Sequence, residues 1–280
     1  AAAASHELSG PAALLDGVYV VLDAGHGGND PGAIRRGVYE DEHAYDVMCR
    51  VKQLLETKTR ARVYTTILDR SSGYKPLDGM IHQDTDEWLV MGKKRVYDLR
   101  SKGATRRGVN ERPRIANSIE ADLRARGVPD ERMVFLSFHA DALHGSIRGT
   151  MIYVPGSERA RYLPSGVTPA SRESAMGLSR RLARDILSSL RKHKILVHPN
   201  PAIRDRVIRA GRAFIPAVVR ETRIPHALLI EVANLNNTRD RSLLIQGSFR
   251  QSFAEAIVDA LVDYYGPQDK DKGPEIAALD

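Results

Sequence analysis

Val18-Tyr19-Val20-Val21-Leu22 followed by Asp23-Ala24-Gly25-His26-Gly27-Gly28-Asn29-Asp30-Pro31-Gly32 decides the fold. A β-branched and aromatic run ending in glycines reads as a buried strand entering a tight loop. The glycines let the backbone come close to whatever the histidine holds. A histidine placed between glycines at a strand's carboxyl end faces a cleft, free to bind a ligand or a metal.

Outward from this stretch, strands and helices alternate. A helix is predicted from about Glu40 to Glu56, with Tyr45, Val47, Met48, Val51, Leu54 and Leu55 on its apolar face. Strands follow at 63–66, 133–138, 149–154 and 227–230. Helices are predicted at about 112–126, 172–191, 202–212 and 248–265. Phe214 to Val219 reads as a short strand, which Pro216 confines to an edge or a start. The alternation predicts a single-domain α/β layer sandwich, with a largely parallel or mixed central sheet flanked by helices. Residues 17–266 form that domain. Residues 1–16 read as an N-terminal extension without an initiator Met, and 267–280 as a polar C-terminal tail. The stretch 69–108 is too long for a plain connection and reads as a functional loop or an insertion, with Trp88 either anchoring it or stacking on a sugar.

The 280 residues suffice for a full core, and 42% apolar with 28% charged residues is a globular composition. No apolar run approaches the roughly 20 residues of a membrane span. The net charge of +7 is dispersed, which reads as diffuse surface charge rather than a nucleic-acid site. Cys49 is the only cysteine and falls inside a predicted helix as a packed side chain. Any metal must therefore be held by histidine and carboxylate.

Four ionisable residues fall at or just beyond strand ends, where open α/β sheets build their sites. They are His26, Glu40 at a helix start, His139 after 133–138, and Glu231 after 227–230. Two histidines and one carboxylate make a known catalytic zinc set, and a further carboxylate can serve as general base. Each residue alone has a plainer reading. His26 fits a loop polar group or a phosphate contact, His139 a buried histidine satisfied by backbone, Glu40 a helix-dipole partner, and Glu231 a loop carboxylate.

Together the four resemble a family. Val20 to Gly32, Glu40, Arg112 with Ala116-Asn117, Ser137-Phe138-His139-Ala140-Asp141-Ala142, and Leu229-Ile230-Glu231-Val232-Ala233-Asn234-Leu235-Asn236-Asn237 look like the zinc-dependent N-acetylmuramoyl-L-alanine amidases of family three, in the family's order over 18–265. The resemblance implies one Zn2+ per chain on His26, Glu40 and His139, with Glu231 as the catalytic glutamate. Glu40 is preferred to Glu42 because it puts Tyr45, Val47, Met48 and Val51 at the family's apolar helix positions. The chain departs from the family at Ile67, where an arginine is common, at Leu235, where an aromatic is common, and in the length of 69–108.

The implied reaction is hydrolysis of the amide between N-acetylmuramic acid and L-alanine in peptidoglycan. It serves wall remodelling, daughter-cell separation or lysis, and places the chain in the periplasm or outside the cell. His144 and His226 are candidate oxyanion donors. An activator protein is an implied partner, because related amidases carry a blocking segment, and 69–108 and 155–170 are long enough to border or cover the cleft. Two rival readings are a zinc carboxypeptidase using Arg220 or Arg223 for a substrate carboxylate, and a non-catalytic envelope-binding module.

Overall fold

The computed structural model describes residues 14–156, 163–199, 201–209 and 211–266. Most of the expected extension, the whole tail 267–280, and 157–162 of the 155–170 loop lie outside the described residues. Strand β1 (Tyr19–Ala24) leads through the His26 loop and a small hairpin, β2 (Ile34–Arg35) and β3 (Val38–Tyr39), into helix α1 (Glu40–Lys58). Next come β4 (Arg62–Thr65), β5 (Ile67–Leu68), β6 (Trp88–Met91), β7 (Lys94–Asp98) and α2 (Ala104–Ala125). The second half runs β8 (Met133–Asp141), β9 (Met151–Tyr153), α3 (Pro169–Lys192), β10 (Ile203–Arg204), β11 (Val207–Arg209), β12 (Arg212–Phe214), α4 (Ala217–Glu221), β13 (His226–Asn234), α5 (Thr238–Leu244) and α6 (Gly247–Tyr265).

Six strands form the central sheet in the order β10-β9-β13-β8-β1-β4, parallel except where β9 meets β13. The inner strands are buried on both faces and read as continuous apolar runs, as covered parallel strands must. Helices α1, α3 and α6 pack side by side along the sheet. The chain moves from β1 to β4 through α1, then back across β1 to β8 through α2. Right-handed crossovers in opposite directions put α1 and α2 on opposite faces. The reversal opens a crevice between the carboxyl ends of β1 and β8, the place where such sheets bind ligands. The expected α/β layer sandwich is the observed fold.

Several local expectations are corrected. Helix α2 begins two turns early, at Ala104 rather than near Arg112, after Gly103 in a left-handed conformation (φ 84°). The predicted helix at 202–212 is instead β10 and the β11–β12 hairpin, in which Val207 pairs with Phe214 and the chain turns at Gly211 (φ 71°). The predicted strand 214–219 is instead α4, which starts after Pro216. Proline suits that entry, because a helix start needs no amide donor there. The 69–108 stretch has its own antiparallel sheet, β5-β6-β7. Within it, the Arg70 and Arg95 guanidinium groups each lie 4.6 Å from the Trp88 ring. Cys49 is buried and burial pushes its thiol up, as an inert packed residue requires.

Candidate active site

His139 and Glu231 do not follow their strands, as the sequence reading has it. Both lie within them, directly paired across β8 and β13. Parallel register therefore sets them side by side on one face of the sheet. The neighbouring strand β1 delivers His26 from its end, and Gly25 N donates to Phe138 O at 2.8 Å. Gly25 is required by closeness, because a Cβ there would lie within 3.0 Å of three His139 ring atoms. At Gly32 (φ 64°), a Cβ would stand 2.6 Å from Glu40 Oε2 and 2.7 Å from the His26 ring.

His26 itself has φ 64°, an unfavourable backbone for a side-chain-bearing residue. Arg112 holds it there. Its guanidinium donates to the carbonyls of Ala24 and His26 and pairs with the fully buried Asp23 at 2.6 Å. Asp23 also accepts from Ser137 Oγ at 2.6 Å and from Thr66 Oγ1. The Asp23–Arg112 pair thus binds β1, β8, α2 and the loop into one unit.

Glu40 opens α1, where the helix dipole favours an anion. Its Oε1 lies 2.9 Å from His139 Nδ1 and 3.3 Å from His26 Nε2, and it accepts from Ala140 N at 3.2 Å. Its Oε2 accepts from Ala33 N at 2.8 Å. One donor atom from each of His26, Glu40 and His139 falls within 4.8 Å of the others. Asp30 Oδ2 stands 3.1 Å from the other His26 nitrogen, the usual position of an outer carboxylate behind a ligating histidine. Burial pushes the His26 imidazole down, but the Glu40 and Asp30 carboxylates outweigh it and raise its pKa to about 10. Burial pushes Glu40 up, but His26 and His139 outweigh that and hold it well below the carboxylate range. The cluster is an electrostatic trap for positive charge.

Glu231 has the opposite character. Burial, then the nearby Asp141 and Glu40 carboxylates, raise it well above the usual range, and its Oε2 is buried without a protein partner. A small cleft of about 180 Å3 opens onto His26 and His139, walled by Val109 and Arg112 of α2 and by Pro216 and Val218 at α4. A larger cleft of about 630 Å3, between α2 and α3, lies toward the amino-terminal edge of the sheet and contains none of these residues.

The other named candidates do not converge here. His226 is the first residue of β13, roughly 16 Å along the strand from Glu231 at about 3.3 Å per residue. It is buried against Tyr264 Oη (3.0 Å) and Met133 O (3.2 Å). His144 is held by Ser146 on an exposed turn. Arg220 pairs with Glu221, and Arg223 with Glu120 and the Asn117 backbone. Sequence reasoning missed Asp30 and Asp141 as participants. Asp30 lies four residues past His26 in the same glycine loop, and Asp141 two residues past His139, so spacing gave a signal for both.

These features define a class: an open-sheet α/β protein with a His-Glu-His cluster able to hold a metal beside a raised carboxyl. Residues 20–263 match the family model described as N-acetylmuramoyl-L-alanine amidase, and the chain belongs to that family. It is 28% identical over 249 residues to the N-acetylmuramoyl-L-alanine amidase LytC of Bacillus subtilis, covering 89% of this chain and 36% of that protein. The chain thus spans about a third of the length of the first curated relatives it matches. Among solved structures, the N-acetylmuramyl-L-alanine amidase of Mycobacterium smegmatis superposes with a TM-score of 0.58 at 18% identity, covering 93% of this chain and 100% of that one. The CwlD amidase of Clostridioides difficile, solved in complex with the GerS lipoprotein, gives 0.57 at 19% identity, covering 88% and 98%. At these identities the likeness is one of fold.

Proposed function

We propose that this chain is a zinc-dependent N-acetylmuramoyl-L-alanine amidase that hydrolyses the lactyl–L-alanine amide of peptidoglycan. The observation that carries this is the shared Glu40 oxygen between two histidines, beside a register-paired Glu231. His26, Glu40 and His139 would hold the ion. Their donor set fits zinc, which takes histidine nitrogen and carboxylate oxygen, and Asp30 supplies the outer support. A bound zinc supplies Lewis acidity, polarising the scissile carbonyl and acidifying the attacking water.

Glu231 takes the proton from that water on a carboxylate oxygen and delivers it to the departing L-alanine nitrogen. Its Oε2 has no protein partner and so is free to carry that proton. Arg112 fixes the His26 carbonyl and so the direction of the imidazole, and the apolar walls at Val109 and Val218 limit water in the cleft.

Family membership supports a cell-wall substrate and hence action in the periplasm or outside the cell. No helix of the described residues is long and apolar enough to cross a membrane. Residues 17–266 are the proposed catalytic unit, with 1–16 and 267–280 as extensions. An activator protein is proposed by analogy with the lipoprotein complex of CwlD. The peptidase reading loses its support, since Arg220 and Arg223 are engaged elsewhere.

The test is mass spectrometry of products from purified peptidoglycan, with zinc-loaded wild type and Glu231→Gln in parallel. Stem peptides beginning at L-alanine, from wild type only, are the expected result. Cleavage within the stem, or equal release by both proteins, refutes the assignment.

A further inference from the structure

A second group of carboxylates stands beside the site and has no part in the proposed hydrolysis. Asp41 and Glu42 lie in the first turn of α1, and Glu87 lies just before β6. One oxygen from each falls within 4.8 Å of the others, and the three residues are only 2%, 5% and 2% exposed. Among the described residues no lysine or arginine ion pair reaches any of them.

The three are anchored rather than collapsed together. Glu42 Oε1 accepts from Asp84 N at 2.6 Å, and Glu87 Oε2 accepts from Gly28 N at 2.7 Å. Asp41 has no such anchor. Both its oxygens are buried without a hydrogen-bond partner. A buried carboxyl with two empty acceptors either carries a proton or is met by a cation, because an unpaired buried charge is costly. Three converging carboxyls, one with both oxygens free, make a donor set that a cation would complete.

We propose that Asp41, Glu42 and Glu87 form a second cation site, sharing no donor residue with His26, Glu40 and His139, for a hard divalent ion of the calcium class. The donor set is all oxygen and all carboxylate, which selects hard cations and disfavours zinc. Asp69, Asp84 and Asp86 form a more exposed acidic group joined to it through Asp84, giving the ion an acidic approach. The site's position gives it a task. It joins the start of α1 to the 69–108 insertion and, through Gly28, to the His26 loop; Asn29 N also bonds Leu99 O at 3.0 Å, and Leu99 N bonds Glu87 O at 3.1 Å. An ion here pins the insertion against the loop that presents His26.

The test is a titration of the zinc-loaded full chain with Tb3+ alone, read by sensitised emission. Trp88 is the only tryptophan and is adjacent to Glu87, so an ion in this site receives its excitation. Saturable emission at one Tb3+ per chain, displaced by Ca2+ and not by further zinc, is expected. Glu87→Gln and Asp41→Asn should each weaken Ca2+ at least tenfold while zinc content stays at one per chain. Absence of saturable emission, displacement by zinc but not Ca2+, or unchanged Ca2+ affinity in both variants overturns the proposal. Should the variants fail to fold, the wild-type competition decides alone, together with whether Ca2+ raises the melting temperature. None of these readouts requires amidase activity, so loss of the proposed reaction would leave the result interpretable.

Discussion

Gly25→Ala is the most direct probe of how the site is built, because it removes no hydrogen bond and adds one methyl group. The new Cβ would lie within 3.0 Å of three His139 ring atoms, whereas ordinary contact begins at 3.4 Å. The ring is backed by paired strands and cannot yield without moving β8 or leaving Glu40. Overpacking of this kind costs about 1–3 kcal/mol, which for a domain of this size lowers the melting temperature by roughly 2–12 °C. A displacement of about 1 Å at a reacting centre costs on the order of 100-fold in rate. Gly177→Ala is the control. Gly177 lies in α3, and a Cβ added there would meet nothing within 4 Å, so alanine should stabilise by about 1 kcal/mol. The assay is zinc content by mass spectrometry, dye release from labelled peptidoglycan, and calorimetric melting for both variants. Gly25→Ala with full zinc occupancy, a rate within twofold of wild type and an unchanged melting temperature would refute the proposed packing of His26 against His139.

Arg112→Met should destabilise by about 3–5 kcal/mol, because it leaves Asp23 as a buried unpaired charge; denaturant titration measures this, and a loss under 1 kcal/mol would count against it. Asp30→Asn should weaken zinc about 10–100-fold with little change in stability, as loss of an outer carboxylate does; competition with a chelator reads the affinity. Burial lowers His226 from 6.5 to about 4. The unfolded chain then binds the proton more readily, so this stability is present above pH 6.5 and lost as pH falls through about 4, by about 3 kcal/mol in all. His226→Gln should flatten the acid limb of a stability–pH curve, and an unchanged slope would remove His226 as its source.

The strands at 18–22, 133–138 and 227–230 were legible because inner parallel strands are apolar on both faces, and α1 because its apolar face is broad. His26 was legible as a histidine among glycines, and Glu40 as an acid at a helix start. What the sequence could not show was register. Nothing in Leu229-Ile230-Glu231 says that Glu231 stands beside His139 rather than beyond its strand, since pairing is a long-range property. The early turns of α2 were hidden because Thr105-Arg106-Arg107-Gly108 carries no apolar period, and only Ala104 and Gly108 are buried there. At 202–212 the expected helix gave way to β10 and a separate two-stranded hairpin that turns at Gly211.

The charges around the cluster carry the final step. Asp30, Glu40, Asp141 and Glu231 gather about two imidazoles, with the nearest arginine, Arg112, already committed to Asp23 and two carbonyls. In that surrounding His26 is driven toward its charged form while Glu231 is driven toward its neutral one. A dication held by His26, Glu40 and His139 would displace the imidazole protons and favour the ionised, base-competent form of Glu231. The carboxylates gathered around the two imidazoles thus support the metal-dependent reading of Glu231.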